Sequence, residues 1–350
     1  MDWLLEAVAR TPAASGPPTL TVIGPIPFVN LAFDDELNRD GSMNFSVRPE
    51  RLPATVRDRL RDLAAAPLEV ALRRGGQTVF AGPVWTWGLQ GGTLSVNCRG
   101  LGGYLRYMML DAVTGTLSWA SQDQHLTAKA LVDAWQSLPY GHFGIDTSAI
   151  TPSGVTRQRT YVHTERHEIY QRLVELCESG GFDWHVDPTT RQLVLDHPTR
   201  GVDLSASVHL DLRNITSGDE SASVAAGDLA SEAFGVGSAD PPATSQQANT
   251  TLRASFGRVG VSETFDVSEQ ATVTSHTTRL LGERASMLRV PGPGLMPVRD
   301  ADVGDFGVGD RVSYVYDAGL GVVERADRVA RLQVQVDEGG GVEMAVEFGS

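Results

Sequence analysis

Residues 164–197 read TERHEIYQRLVELCESGGFDWHVDPTTRQLVLDH, and the change of period inside this stretch sets the fold class. Ile169, Leu173, Leu176 and Cys177 recur at helical spacing, with Thr164 as the expected cap and Gly180-Gly181 as the expected left-handed stop. After the glycines the period becomes two. Phe182, Trp184 and Val186 fall on one face and Asp183, His185 and Asp187 on the other, before Asp187-Pro188-Thr189-Thr190 turns into a second strand carrying Leu193 and Leu195. The spacing predicts a helix laid on a hairpin.

Upstream, Leu126, Ala130, Ala134 and Leu138 share a helical face that Pro139 ends, and Tyr140 to Arg157 is turn-rich. Helix, loop, helix and hairpin together make a mixed α+β unit. Tyr104, Leu105, Tyr107, Met108 and Met109 form an apolar cluster suited to its boundary. Nearer the start, period two dominates: Leu20 and Val22, then Met43, Phe45 and Val47, then Leu68 to Leu72, Val79 to Trp87 and Leu94 to Cys98, with turns at Gly75-Gly76 and Gly91-Gly92. Val56, Leu60 and Leu63 predict a short surface helix over 53–65. Short strands at this spacing suggest a closed or nearly closed antiparallel barrel.

Downstream, a strand is expected over 208–215. Residues 221–250, rich in Ala, Ser, Gly and Gln, read as a long exposed loop or mobile linker. A helix is expected over 268–287, and strands over 307–316, 325–336 and 342–348, the last two joined through Gly339-Gly340-Gly341. The resulting fold class is α+β and β-rich, with antiparallel β-barrel domains at 1–105 and 204–350 flanking an α+β middle domain at 106–203.

A net charge of -14 over 350 residues argues against a general nucleic-acid-binding surface, which needs clustered cations. Lys129 is the only lysine, a bias of the kind a GC-rich coding sequence produces, and it carries no functional weight alone. Met1 to Glu6 has no basic leader and no run of about 18 apolar residues occurs, so neither a secretion signal nor a membrane span is expected. Cys98 and Cys177, far apart in apolar patterns, read as buried free thiols of a chain folded in a reducing cytoplasm.

The chemistry-bearing motifs are weak. His163 and His167 share a helix face, but Thr164 stands where a zincin needs its glutamate, and His185 as a third ligand has no spacing to support it. Gly304 to Gly309 precedes a strand and reads as a turn. Asp34-Asp35-Glu36 and Asp300 with Asp302 are loop carboxylates of a kind that usually solvate. Trp85, Trp87 and Trp184 suit a barrel core or a subunit contact better than a sugar platform. No catalytic, cofactor-binding or metal-binding residue is assigned.

Four phrases in order resemble the tail hub proteins (baseplate hub, or tail-tip minor tail proteins) of long-tailed bacteriophages. They are Leu37 with Gly41-Ser42-Met43-Asn44-Phe45, although Ser42 stands where a second glycine is common; Gly76 to Val84; the helix ending in Gly180 to Asp187; and Val308-Gly309-Asp310-Arg311-Val312. Their order and separation carry the resemblance across most of the chain. It implies a non-enzymatic structural protein of the virion tail tip, from a siphovirus infecting an actinobacterium. The two barrels would then be tube-like, and a homotrimer would make a pseudo-sixfold ring lining the DNA channel. The implied partners are the distal tail protein, the tape measure protein and other tail-tip or receptor-binding proteins, with genomic DNA passing through the lumen without specific binding. A secretion-system or phage-like particle hub would share the fold. The rival from another class is a cell-wall hydrolase or carbohydrate-binding tail-tip protein, which an acidic pair beside Trp85 and Trp87 in one cleft would favour.

Overall fold

The period-two segments at the start become strands β1 (Trp3–Thr11), β2 (Thr19–Pro25), β3 (Asn30–Glu36) and β4 (Ser42–Val47), then β5 (Leu68–Arg74), β6 (Gln77–Gln90) and β7 (Thr93–Arg99). The computed structural model describes residues 3–63, 67–211, 223–224, 229–238, 240–265, 267–284, 288–289, 296–298, 304–317 and 322–349. Met43, Phe45 and Val47 of β4 and Leu94, Val96 and Cys98 of β7 are buried, as their alternation requires. Helix α1 (Ala54–Arg61) buries Val56 and Leu60 beside this sheet.

The middle elements are β8 (Leu117–Asp123), α2 (Gln124–Gln136), β9 (Thr156–Tyr161), α3 (Ile169–Gly180) and the hairpin β10 (Asp183–Val186) with β11 (Leu193–Asp196). Asp123 caps α2 by accepting the N–H groups of His125 and Leu126. Helix α3 begins at Ile169 rather than at Thr164, which lies in a separate 3-10 turn, His163–Glu165, closed by Arg166 at φ 49°. Gly181 at φ 64° supplies the expected left-handed stop. Leu131, Leu173, Leu176, Cys177, Phe182, Trp184 and Leu193 share one core, so the helix does lie on the hairpin.

The last third supplies β12 (His209–Leu210), β13 (Ser223–Val224), β14 (Glu232–Val236), β15 (Thr244–Ala248), α4 (Thr250–Phe256), β16 (Gly260–Thr264), α5 (Gln270–Glu283), β17 (Leu288–Arg289) and β18 (Met296–Val298). It ends in β19 (Arg311–Asp317), β20 (Val322–Asp337) and β21 (Val342–Gly349). Of the strand expected over 208–215, β12 is the described part; 212–215 fall outside the described residues.

Two expectations change. Two separate closed barrels are not what the described strands form: β20 pairs with β3, Val334 opposite Phe33, and joins both ends of the chain into one twelve-stranded sheet. Its path runs open, in the order β12-β19-β20-β3-β4-β7-β6-β5-β1-β2, with β21 and β18 branching from β20. The hairpin signals were local, whereas β6 and β20 are long strands that change partners part-way, β6 from β5 to β7 and β20 from β19 to β21 and β3. Residues of both ends also share one core.

Residues 221–250, expected as a long exposed loop or mobile linker, include β14 and β15 among their described residues, and these strands with β16 form a three-stranded sheet covered by α5; 221–222, 225–228 and 239 fall outside the described residues. Leu229, Ala230, Ser231, Glu232 and Ala233 are buried. Small residues here serve close packing: a Cβ on Gly235 would stand 2.0 Å from the Thr277 hydroxyl of α5. Ala/Ser/Gly richness therefore marks a tight helix-on-sheet contact.

Candidate functional site

Three buried carboxylates tie the middle unit to the large sheet. Asp40, on the β3–β4 turn beside Gly41, accepts a bidentate pair from Arg106 at 3.1 Å each, another bond from Arg99 at 3.0 Å and the Tyr170 hydroxyl at 3.2 Å. Four parts of the chain thus meet on one side chain: the turn, β7, the 3-10 segment Leu101–Arg106 and α3. Burial opposes ionisation of Asp40, but Arg106 and then Arg99 outweigh it and hold the carboxyl below its ordinary range. The Arg106 guanidinium also lies 3.7 Å from the centre of the Tyr170 ring.

Glu69, on β5, accepts the Tyr104 hydroxyl at 2.6 Å and both Arg191 nitrogens at 2.8 and 3.3 Å, linking the sheet to the β10–β11 turn. Burial and the Glu69 charge push the Tyr104 hydroxyl well above its usual pKa. Asp183 accepts Asn38 at 2.8 Å, the Arg200 N–H at 2.8 Å and Arg328 of β20 at 2.6 Å, so the hairpin is held by both ends of the chain. Period two put Asp183 on a polar face, yet it is 5 % exposed, because Asn38, Arg200 and Arg328 converge on its carboxylate. Such pairs add little net stability compared with apolar packing but are costly to break, so they fix the geometry between units.

A cleft of about 430 Å³ opens beside the Asp40 node, lined by Asp34, Glu36, Arg39, Trp85, Arg99 and Arg106 among others. Trp85 stacks on Tyr107 at 4.8 Å between ring centres, with the Arg99 guanidinium 5.3 Å from the Trp85 ring centre. Every carboxylate here is engaged: Asp34 with Ser42 and Arg331, Glu36 with Arg39, Asp40 with its two arginines. A glycosidase acid needs a raised pKa, and Asp40 is held the other way. The carboxyl that burial does raise, Asp196, lies on β11 and is not among the residues lining this cleft.

The other sequence candidates are dispersed. His163 Nδ1 contacts the Thr116 hydroxyl at 2.9 Å, His167 pairs with Glu165, and His185 faces Asp196 at 3.6 Å. Among the described residues, no three His, Cys, Asp or Glu side chains are grouped to hold a metal. Gly304 to Gly309 is a turn whose Phe306 and Val308 are buried and whose Gly307 N–H is accepted by Asp310 at 2.8 Å. Asp35 pairs with Arg200 at 2.7 Å. Asp300 and Asp302 lie outside the described residues. Trp184 is fully buried, whereas Trp87 is 41 % exposed on the far half of β6. Cys98 and Cys177 are buried and free. No described helix is long and apolar enough to cross a membrane.

His185 gives the middle unit an acid sensitivity. Burial, aided by the Arg200 charge and opposed by Asp35, Asp187 and Asp183, lowers its pKa to about 4. The unfolded chain, with a histidine near 6.5, binds the proton first, so stability falls as pH drops from about 6.5 to about 4. The expected loss is about 2 kcal/mol, part of it offset by the raised Asp196, which takes up a proton in the folded state. Thermal melts at pH 7 and 4.5 should show this slope in the wild type and a flatter one in His185→Gln; equal slopes would refute it.

The sequence matches no protein-family profile and no curated protein. In structure, the chain is similar over its whole length to the tail protein from Neisseria meningitidis MC58, with TM-score 0.60, 15% identity and 97% of that chain covered. It is also similar to the 43 kDa tail protein of prophage MuSo2 from Shewanella oneidensis, at TM-score 0.64 and 13% identity over 98% of both chains. For prophage tail protein gp18 from Listeria monocytogenes EGD-e the values are 0.56 and 13%, over 99% of this chain and 94% of that one. The chain shares the fold of these tail proteins.

Proposed function

We propose that the protein is a structural tail hub: a homotrimer at the tip of a phage tail that joins the tube and distal tail protein above to the tip and receptor-binding apparatus below. The observation that carries this reading is end-to-end similarity to three tail proteins, with nearly the whole of each chain matched. In this reading residues 1–105 and 204–350 are the two β-rich, tube-like parts and 106–203 the middle domain. Three chains then present six near-equivalent surfaces to a sixfold tube and threefold symmetry below. The tape measure protein and passing genomic DNA occupy the lumen, and the acidic excess suits a channel that repels phosphate. The buried acid–arginine nodes suit a part that must hold its shape under load.

The hydrolase reading has one observation in its favour, carboxylates beside Trp85 in a cleft, and the engagement of each by arginine or serine speaks against it. The experiment is the mass of the purified chain in solution by light scattering, alone and with the distal tail protein: trimer supports the hub, and a persistent monomer that cleaves peptidoglycan supports the rival.

A further inference from the structure

We infer that copies of this chain join head to tail by β-strand addition, the free edge of β2 in one copy pairing with the free edge of the Val84–Gln90 half of β6 in the next. The inference rests on the ring reading above and goes beyond it by naming the surfaces. Among the described residues, β2 has a single strand neighbour, β1. The Val84–Gln90 half of β6 likewise has only β7, because β5 pairs with Gln77 to Pro83.

Composition separates these two edges from the rest of the surface. Thr11 to Phe33 and Gly75 to Cys98 are the two longest runs of the chain without Asp, Glu, Lys or Arg, and each contains one of the free edges. Solvent-facing edges are ordinarily guarded by charged side chains, because an open row of N–H and C=O groups templates another strand. Here the guards are missing where apolar side chains stand out. On β2, Leu20 is 39 % and Val22 52 % exposed; on β6, Trp87 is 41 % and Leu89 60 % exposed. Neither edge offers a charge for a polar partner to match, and a second copy brings a strand of the same uncharged kind. Two different edges per chain make the contact heterologous, and a heterologous contact repeated through a closing rotation gives a ring.

The test uses the full chain with Val22→Lys, Leu89→Lys and a Val22→Cys/Leu89→Cys double variant. Both positions are exposed, so melting temperatures should stay near wild type. Each lysine is expected to raise at least tenfold the protomer concentration needed for half-assembly. A short bis-maleimide should link the double-cysteine variant into dimers and trimers, while the single cysteine variants stay unlinked and the buried native thiols do not react. Dimers from a single cysteine variant would show self-paired edges and overturn the inference. A wild-type trimer that neither lysine weakens would also overturn it while leaving the ring reading intact; a wild type that never assembles, even with the distal tail protein, would overturn both.

Discussion

Gly82→Ala is expected to destabilise the protein by about 4 kcal/mol, because the added methyl meets backbone that cannot give way. A Cβ at this position would stand 1.9 Å from the Arg99 carbonyl oxygen and 2.8 Å from the Gly100 carbonyl carbon. Both obstacles are backbone, so no rotamer change relieves them, and β6 would have to separate from the end of β7. Gly82 sits where β6 passes from β5 to β7, the corner at which the first sheet turns into the second half of the path. The same crossing involves Gly100, whose Cβ would meet the Asp40 carbonyl at 2.0 Å. Gly88→Ala is the control: it lies on the same strand with nothing within 4 Å and is expected to change stability by less than about 0.5 kcal/mol. Urea unfolding of both variants checks this, and a Gly82→Ala midpoint as close to wild type as that of Gly88→Ala would remove the corner from the account.

Asp40→Ala should cost about 3 kcal/mol at neutral pH. It strands two guanidiniums and a hydroxyl that converge on one carboxylate from three elements, and Asp40 is itself 9 % exposed. Arg99 and Arg106 retain 38 and 31 % side-chain exposure, which lets water take back part of their charge and keeps the figure below that of a fully buried triad. Because the folded pKa of Asp40 is depressed, its stabilisation is complete above the unfolded value near 3.8 and is lost as pH falls through the folded value. The gap between wild type and Asp40→Ala should therefore be wide at pH 7 and narrow below pH 4. A gap unchanged down to pH 2 would mean the charge is not what the node contributes.

Both variants bear on what the sequence could reveal. Local elements were legible because they follow from spacing: Leu173, Leu176 and Cys177 on α3, the stop at Gly181, the reversal into Phe182 and Trp184, and the alternation of β4 and β7. Long-range joins were not. Nothing around Arg325 to Val336 says that the strand lies against Asn30 to Glu36, because pairing between strands three hundred residues apart leaves no periodic mark. Missing this join turned one open sheet into two expected barrels. Glu69 is the one node with a local hint, a carboxylate set between Leu68 and Val70 in the otherwise apolar run Leu68 to Leu72; Asp40 and Asp183 look like ordinary turn and strand-face acids until Arg106 and Arg328 arrive from elsewhere. Thr164 failed as a cap because Arg166 takes a left-handed conformation and restarts the helix at Ile169. The Ala/Ser/Gly segment misled for a different reason, since small residues serve close packing as readily as they serve a linker.

The mass of the assembled protein in solution tests the hub reading most directly. Light scattering on the purified chain, alone and mixed with the distal tail protein of the same particle, should give a species of three times the 37.5 kDa chain mass in at least one of the two samples. A chain that remains at its monomer mass in both would contradict the hub.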